Sequence, residues 1–389
     1  MTEGSLDSDT PVSLTQSLVR IRSANPSETE AECARFVADW FRQLGVDVEV
    51  DEAAPGRPNV VARVPGGDGP ALAYLAHMDT VPAGEGWSVD PFAGEVRDGR
   101  LYGRGAADMK SGLAASMFAL KRVVESGIAL KRPFLVCATV DEEGAHMYGA
   151  VRLVERGLLD KDTLLVAPEP TGLDLVVAQK GVMWYRAETW GRMSHAGTPH
   201  IGADANHGLA LALAALKQRF AELPHDHPLL GRTSVTIGQM RGGTKTNVVP
   251  DYAWAEIDTR LVPPLTTQEA TRLVSAVVED AAAMVPGVRG SAAVVTIDRP
   301  PVETDPRSPL LGAFEQAFRE VTRRAIVRGG FPAYTDAAIA AAMTGNGNCV
   351  LFGPGHLTQA HTADEFVPVE EIDVATAVLG RAAELLLTS

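Results

Sequence analysis

Four short apolar runs constrain the fold of this chain more than any other feature of its sequence. Each is four to seven residues long and carries few polar side chains. Such runs are typical of strands that are covered on both faces. They occupy residues 71–76, 134–140, 164–167 and 349–352. Segments with helical spacing separate them, so the sequence predicts an α/β fold in which helices cover a mixed sheet.

Side chains that can bind a metal follow each of these runs. In the order of the runs they are His77 and Asp79, Glu142 and Glu143, Glu169, and His361. A further carboxylate, Asp108, precedes an apolar segment with helical spacing at residues 112–124. In open α/β sheets, ligands bind outside the carboxyl ends of the strands. These groups are enough to bind two metal ions with a carboxylate to spare, which predicts a hydrolytic metal site.

One helix is predicted ahead of the first strand run. Ser27 and Glu30 have the spacing of a capping box, and apolar residues with helical spacing follow them up to Gly45. The pattern predicts a helix that begins at Ser27 and has Gly45 as its C-terminal cap.

The middle of the chain differs in character from its two ends. Strand-like segments at residues 182–190, 233–239, 252–261 and 292–297 are interrupted by helix-like segments at 203–220 and 268–284. The order β-α-β-β-α-β is that of a ferredoxin-like α+β domain. We therefore predict an inserted domain at residues 182–296 that splits a catalytic domain into residues 1–181 and 297–389.

Length and charge exclude several classes of protein. A chain of 389 residues is expected to form two domains. The net charge of −14 argues against nucleic acids and anionic membrane surfaces as partners. Residues 1–11 have neither a basic start nor an apolar core, so no signal peptide is predicted. The three scattered cysteines are typical of buried thiols in a reducing compartment, and the predicted location is cytoplasmic.

Seven motifs occur in one order along the chain: AHMDTVP, GRGAADMKSG, DEEG, PEPT, SHAGTP, TNVVPD and AHTADE. In these motifs the sequence resembles the zinc-dependent amidohydrolases and exopeptidases that include acetylornithine deacetylase, succinyl-diaminopimelate desuccinylase, aminoacylase and glutamate carboxypeptidase. The resemblance extends over residues 71–369, which is most of the chain. It implies a catalytic domain with an inserted lid or dimerisation domain, and a homodimer formed through that insertion.

The resemblance also implies a ligand set for two zinc ions, for which cobalt or manganese can substitute. Asp108 would bridge the two ions. His77 and Glu169 would complete the coordination of one ion, and Glu143 and His361 that of the other.

Five further residues receive roles from the resemblance. Glu142 would be the general base, and Asp79 would orient His77. His195, in the inserted domain, would donate a hydrogen bond to the oxyanion. Asn247 and Arg260 would bind the carboxylate of the substrate.

These implications lead to one preferred function and two alternatives. The preferred function is removal of an acyl group from an N-acylated amino acid, as a deacetylase or desuccinylase does. A carboxypeptidase or dipeptidase with the same metal centre is the nearest alternative, and a relative with a non-hydrolytic role is the second. Several residues also admit simpler interpretations. Asp79 can be only a turn-former and Arg260 only a salt-bridge partner, while Glu169 and His361 can be ordinary loop residues. The segment Ala145-His146-Met147 departs from the glycine-rich run of the relatives, so the resemblance says less about the substrate than about the metals.

Overall fold

The computed structural model describes residues 9–389 of the chain. The absence of a signal peptide was predicted for residues 1–11, and residues 1–8 of that segment lie outside the described residues. The chain divides into two compact units. The first unit comprises the chain up to Ala178 together with Glu303–Gly330 and Thr335–Ser389. The second comprises Gln179–Val302 and Phe331–Tyr334.

The helices and strands are numbered in chain order. The helices are α1 (Pro11–Arg20), α2 (Ala31–Gln43), α3 (Ser111–Ser126), α4 (Tyr148–Glu155), α5 (Ala205–Glu222), α6 (Thr267–Ala283), α7 (Pro309–Thr322), α8 (Asp336–Thr344) and α9 (Val369–Thr388). The strands are β1 (Asp47–Ala54), β2 (Arg57–Val64), β3 (Leu72–His77), β4 (Glu95–Arg97), β5 (Arg100–Tyr102), β6 (Phe134–Thr139), β7 (Leu164–Ala167), β8 (Leu175–Gln179), β9 (Gly181–Trp190), β10 (Ser194–His195), β11 (Asp226–His227), β12 (Gly231–Arg232), β13 (Ser234–Gly242), β14 (Val248–Val249), β15 (Tyr252–Leu261), β16 (Arg289–Val294), β17 (Val302–Glu303), β18 (Arg328–Phe331), β19 (Cys349–Leu351) and β20 (Phe366–Pro368).

The first unit is built on a mixed sheet whose strand order is β1-β2-β6-β3-β7-β19-β8-β17, with β18 beside β8. Its four central strands, β6, β3, β7 and β19, run parallel to one another. They coincide with the four apolar runs, and every one of their residues is buried. Because the strands are parallel, their carboxyl ends lie along one edge of the sheet.

Helices cover both faces of this sheet. Leu72, Tyr74 and Ala76 of β3 pack into one hydrophobic core with residues of α1, α2, α3, α7 and α9. Helix α8 contacts β3, β7 and β19 from the other face and also packs on α4. The predicted α/β architecture is therefore confirmed. In the described part of the chain, no helix combines the length and the apolar character needed to cross a membrane.

The second unit has the predicted ferredoxin-like topology. Strands β13, β15, β9 and β16 lie in that order, and all neighbours are antiparallel. Alternate residues of β9, such as Tyr185 and Ala187, pack against α5 and α6 in a core of their own. The other face of β9 presents polar and aromatic side chains, including Trp184 and Arg186, that are only half-buried.

The predicted capping box at Ser27 is wrong. Helix α2 begins at Ala31, with Glu30 as the residue before it, and the Glu30 side chain makes no capping hydrogen bond. Its carboxylate instead accepts hydrogen bonds from Arg57 on β2 and from the backbone N–H of Asp141. The contact with the partly buried Arg57 takes the place of a helix cap, which is worth only about 1 kcal/mol.

Candidate metal centre

Two histidines and two carboxylates converge at the carboxyl edge of the parallel strands. His77 is the last residue of β3, and Glu143 follows β6 by four residues. Asp108 lies in an irregular turn, Ala106–Lys110, that leads into α3. His361 lies in the connection between β19 and β20.

Asp108 stands between the two imidazoles. Its Oδ1 atom is 3.2 Å from Nε2 of His77, and its Oδ2 atom is 3.5 Å from Nε2 of His361. The same nitrogen of His361 is 3.0 Å from Oε1 of Glu143. Donor atoms of His77, Asp108 and Glu143 all lie within 4.8 Å of one another. One carboxylate with an imidazole at each oxygen is an arrangement that can hold a metal ion.

The electrostatics of the cluster are dominated by burial and by mutual charge. Hydrogen bonds to Asp108 and Glu143 raise the pKa of His361 to about 10. Burial tends to lower the pKa of His77, but the hydrogen bond to Asp108 and the surrounding carboxylates hold it well above its usual range. Burial raises the pKa of Glu143, and the nearby charge of Asp108 acts in the same direction. Together with Glu142 and Glu169, which also act on His77, the site holds four carboxyl groups against two imidazoles, so a bound cation would stabilise their ionised forms.

Glu169 provides an independent indication that the donor set fits a cation. It follows β7, directly after Pro168, and is only 3% exposed. No group among the described residues donates a hydrogen bond to its Oε1 atom. Burial raises its pKa well above the ordinary range. An unpaired buried carboxylate oxygen destabilises a fold unless a cation or donor satisfies it.

Glu142 lies beside the cluster. Its Oε2 atom is 3.9 Å from Nε2 of His77. Burial raises its pKa well above the ordinary range, and the negative charges of Glu169 and Glu143 add to the effect. A carboxylate with a raised pKa beside the reacting groups is suited to accept and return a proton near neutral pH.

Asp79 contacts both His77 and the turn that carries Glu142 and Glu143. The Nδ1 atom of His77 is 2.9 Å from the backbone oxygen of Asp79 and 3.6 Å from its carboxylate. The carboxylate accepts hydrogen bonds from the backbone N–H groups of Glu142 and Glu143, each at 3.2 Å. Asp79 therefore contacts His77 mainly through its main chain, while its side chain holds the turn that carries the paired glutamates.

A buried network beyond Asp79 was not indicated by the sequence. The Nδ2 atom of Asn25 donates to Asp79 and to Asp141, each at 2.9 Å. Arg57 donates to Asp141 at 2.6 Å and to Glu30 at 2.9 Å. Asp141 lies within the DEEG motif, which was a usable signal. Asn25 and Arg57 carry none, because they are far from the turn in sequence.

The three remaining predicted site residues lie in the second unit, and two of them are close together. His195 on β10 pairs with Val248 on β14, and the N–H of Ala196 donates to the backbone oxygen of Asn247 at 3.0 Å. The Nδ1 atom of His195 accepts a hydrogen bond from Gly197 at 3.0 Å. The neutral ring therefore carries its proton on Nε2, where it can be donated.

Arg260 already has a carboxylate partner. Its Nε and Nη2 atoms donate to the two oxygens of Asp258, at 2.8 Å and 3.1 Å. Asp258 also accepts a hydrogen bond from the indole of Trp184 at 2.6 Å. Arg260 is half-buried and lies on the same face of β15 as Asp258. The salt-bridge interpretation of Arg260 thus describes a contact that exists, and a substrate carboxylate would have to share this guanidinium.

Two imidazoles and several buried carboxylates around one aspartate, at the carboxyl edge of an α/β sheet, are the donor set of a metal-dependent hydrolase. Residues 73–385 match the family model described as Peptidase family M20/M25/M40, and the chain belongs to this family. The family resemblance read from the seven motifs is therefore confirmed.

Named relatives match nearly the whole chain. A probable succinyl-diaminopimelate desuccinylase from Staphylococcus epidermidis is 28% identical over 92% of this chain and 92% of its own. An acetylornithine deacetylase from Vibrio campbellii is 30% identical over 93% of this chain and 94% of its own. This protein is accordingly a hydrolase that acts on amide bonds.

Solved structures share the fold. A tripeptidase from Staphylococcus aureus superposes with a TM-score of 0.80 at 25% identity, covering 99% of this chain and 100% of that one. An M20 family metallo-carboxypeptidase from Sulfolobus solfataricus gives a TM-score of 0.81 at 18% identity, covering 98% of this chain and 100% of that one.

Proposed function

We propose that this enzyme is a two-metal amidohydrolase that removes the acyl group from an N-acylated amino acid and releases a carboxylate and a free amine. The observation that carries the proposal is Asp108, whose two oxygens face His77 on one side and His361 on the other. A carboxylate so placed can be shared by two cations, and a pair of cations is a recurrent device for hydrolysing amide bonds.

The donor set fits the proposed ions. Asp108 would be shared, His77 and Glu169 would hold one ion, and Glu143 and His361 would hold the other. The unpaired oxygen of Glu169 supports this assignment, because a cation would satisfy it. Zinc suits a mixed set of imidazoles and carboxylates, and manganese and cobalt accept the same donors. When bound, the ions supply Lewis acidity that polarises the amide carbonyl and lowers the pKa of water.

Glu142 is the proposed general base. It would take a proton from the attacking water and return it to the nitrogen of the leaving amine as the C–N bond breaks. The second proton of the water would pass from the new carboxyl group to the amine, which gives a carboxylate and an ammonium group. Its raised pKa, which burial causes, matches this task. The hydrogen bonds from the backbone of Glu142 and Glu143 to Asp79 would keep the base and its neighbouring ligand at fixed positions.

Residues of the second unit complete the proposal. The Nε2–H of His195 would donate to the oxyanion that forms as water adds, a contribution of roughly 100-fold or more in rate. Arg260, with Asn247, would bind the carboxylate of the amino-acid portion. A homodimer through the ferredoxin-like unit is proposed on family resemblance, and sedimentation velocity of the full chain tests it.

The relatives that match along nearly their whole length support the proposed substrate class. Two of them are named for removing a succinyl or an acetyl group from an amino acid, which supports an N-acyl amino acid here. The tripeptidase, at 25% identity, supports peptide hydrolysis at the same centre as a second candidate.

One experiment separates these candidates. Amine release would be measured for zinc-loaded enzyme on N-acetyl and N-succinyl amino acids and on di- and tripeptides. The controls are a chelator and Glu142→Ala. Chelator-sensitive turnover of an N-acyl amino acid is expected. Preference for peptides would move the enzyme to the peptidase branch, and turnover by Glu142→Ala near that of the wild type would refute the general-base assignment.

A further inference from the structure

Two charged residues inside the seven motifs have no role in the proposed reaction. Arg104 belongs to GRGAADMKSG and Glu365 to AHTADE. The structure buries both, with 2% and 0% of their surface exposed, and pairs Nη1 of Arg104 with Oε2 of Glu365. Burying an ion pair is unfavourable unless further hydrogen bonds satisfy both partners. The other groups to which Arg104 and Glu365 are hydrogen-bonded therefore indicate what the pair does.

Glu365 binds the backbone that carries Asp108. Its Oε1 atom accepts hydrogen bonds from the N–H groups of Ala107 and Asp108, at 2.9 Å and 3.1 Å. The backbone at Asp108 is not helical, with φ −120° and ψ 95°. This N–H therefore needs an acceptor from outside the helix that follows, and Glu365 supplies it.

Arg104 binds the backbone next to His361. Its Nη2 atom donates to the carbonyl oxygen of Thr362, the residue after His361, at 3.2 Å. The same atom donates to the carbonyl oxygen of Ala83 at 3.2 Å, and the guanidinium lies 5.2 Å from the ring centre of Trp87. The ion pair thus joins three separate segments of the chain.

His361 depends on contacts that hold its backbone in place. Its side chain is 52% exposed, so packing does not fix the imidazole. Its backbone has φ 63°, in the left-handed region that residues with a side chain adopt rarely. Asp108 approaches from a segment far away in sequence, so the relative position of these two side chains depends on the contacts that join the two segments.

We propose that Arg104 and Glu365 are positioning residues that hold Asp108 and His361 at the mutual distance required for metal binding. The proposal rests on the proposed function, since it assigns Asp108 and His361 to the metal centre. Neither member of the pair is a ligand. Both act through the main chain of the segments that carry the ligands.

The competing interpretation is that the pair only stabilises the fold. Asn346 provides a matched control, because its buried side chain also joins two segments through backbone oxygens. Its Nδ2 atom donates to Asp160 at 3.0 Å and to Thr163 at 2.6 Å. Thr163 directly precedes β7, at the opposite end of that strand from Glu169. Asn346→Ala should lower stability and leave zinc affinity unchanged.

The experiment compares full-length wild type, Glu365→Gln, Arg104→Met and Asn346→Ala after removal of metal. Glu365→Gln keeps the size of the side chain, so it guards against failure of Arg104→Met to fold. Zinc stoichiometry and affinity would be measured by competition with a chromophoric chelator, and thermal unfolding of each metal-free protein in parallel. Loss of a group that orients a metal ligand typically weakens affinity about 10- to 100-fold. We expect that loss for both pair variants and not for Asn346→Ala.

Two results would overturn the proposal. Zinc affinity in both pair variants equal to that of the wild type would refute the positioning role alone. An equal loss of affinity in Asn346→Ala at a similar drop in unfolding temperature would also refute it, because affinity would then follow stability. If the wild type itself bound no zinc, the proposed function would fall and this proposal with it.

Discussion

Replacing Gly112 with alanine should disturb the metal centre without changing any of its side chains. Gly112 is buried in the first turn of α3, and a Cβ atom there would lie 1.9 Å from the carbonyl oxygen of Pro168. Pro168 precedes Glu169 in sequence. Its carbonyl oxygen cannot retreat freely, because a Cβ on Gly353 would approach the same atom to 2.3 Å. The backbone beside Glu169 therefore passes between two glycines, and the added methyl must displace it by about 1 Å in a close-packed interior.

Two magnitudes follow for Gly112→Ala. Overpacking of a buried site costs about 1–3 kcal/mol of stability. A displacement of about 1 Å in a catalytic group can cost roughly 100-fold in rate, and we expect a loss of that order together with weaker zinc binding.

The assays are chemical denaturation of the metal-free enzyme, zinc stoichiometry, and kcat/KM on the hydrolysed substrate. Gly312→Ala is the control, since Gly312 is an exposed residue of helix α7 whose added Cβ meets nothing within 4 Å. It should gain up to about 1 kcal/mol from helix propensity and keep full activity. If Gly112→Ala matched the wild type in stability, zinc content and rate, the argument from close approach would be refuted.

Four further predictions follow, one on the general base, two on the thiols and one on the substrate carboxylate. Glu142→Gln cannot accept a proton, so kcat should fall about 100- to 10,000-fold while zinc content stays unchanged; turnover near that of the wild type would contradict the role. Burial raises the pKa of Cys33 from 9.0 to about 11 and that of Cys137 to about 12, so neither thiol should react with a disulfide reagent at about pH 8 until the protein unfolds. Because these folded-state pKa values exceed the unfolded ones, the contribution of the thiols to the free energy of unfolding is fully present below about pH 9. It should decline as the pH rises towards 11, which denaturation midpoints across that range would measure. Arg260→Met should raise KM roughly 10- to 100-fold for substrates with a free carboxylate and change kcat little; an equal effect on a substrate amidated at that group would disprove carboxylate binding.

Much of the candidate site could be predicted because its information is local. An apolar run indicates a buried strand, and residues directly after it lie at the end of that strand. Once four runs are assigned to one sheet, His77, Glu143 and Glu169 must approach the same edge if the strands are parallel. The structure has these strands parallel.

The sequence did not determine the hydrogen-bond partners of Asp79 and Arg260. Alternation along a strand tells which face a carboxylate occupies, and it does not tell which backbone N–H lies opposite. The contact of Asp79 with the Glu142–Glu143 backbone depends on the turn after β6. The pairing of Arg260 with Asp258 was easier to predict from the sequence, since residues two apart on a strand share a face.

By itself the sequence determined which segments become buried strands, which middle segment forms a ferredoxin-like unit, and which side chains are available as metal donors. These properties depend on periodicity and residue type over a few neighbouring positions. Only the tertiary structure decided which partner each buried charge has. Glu30 pairs with Arg57 and leaves its helix uncapped, and Glu365 pairs with Arg104 and binds the turn of Asp108. The free energy of a buried charge depends on the groups that surround it in space, and those groups come from distant parts of the chain.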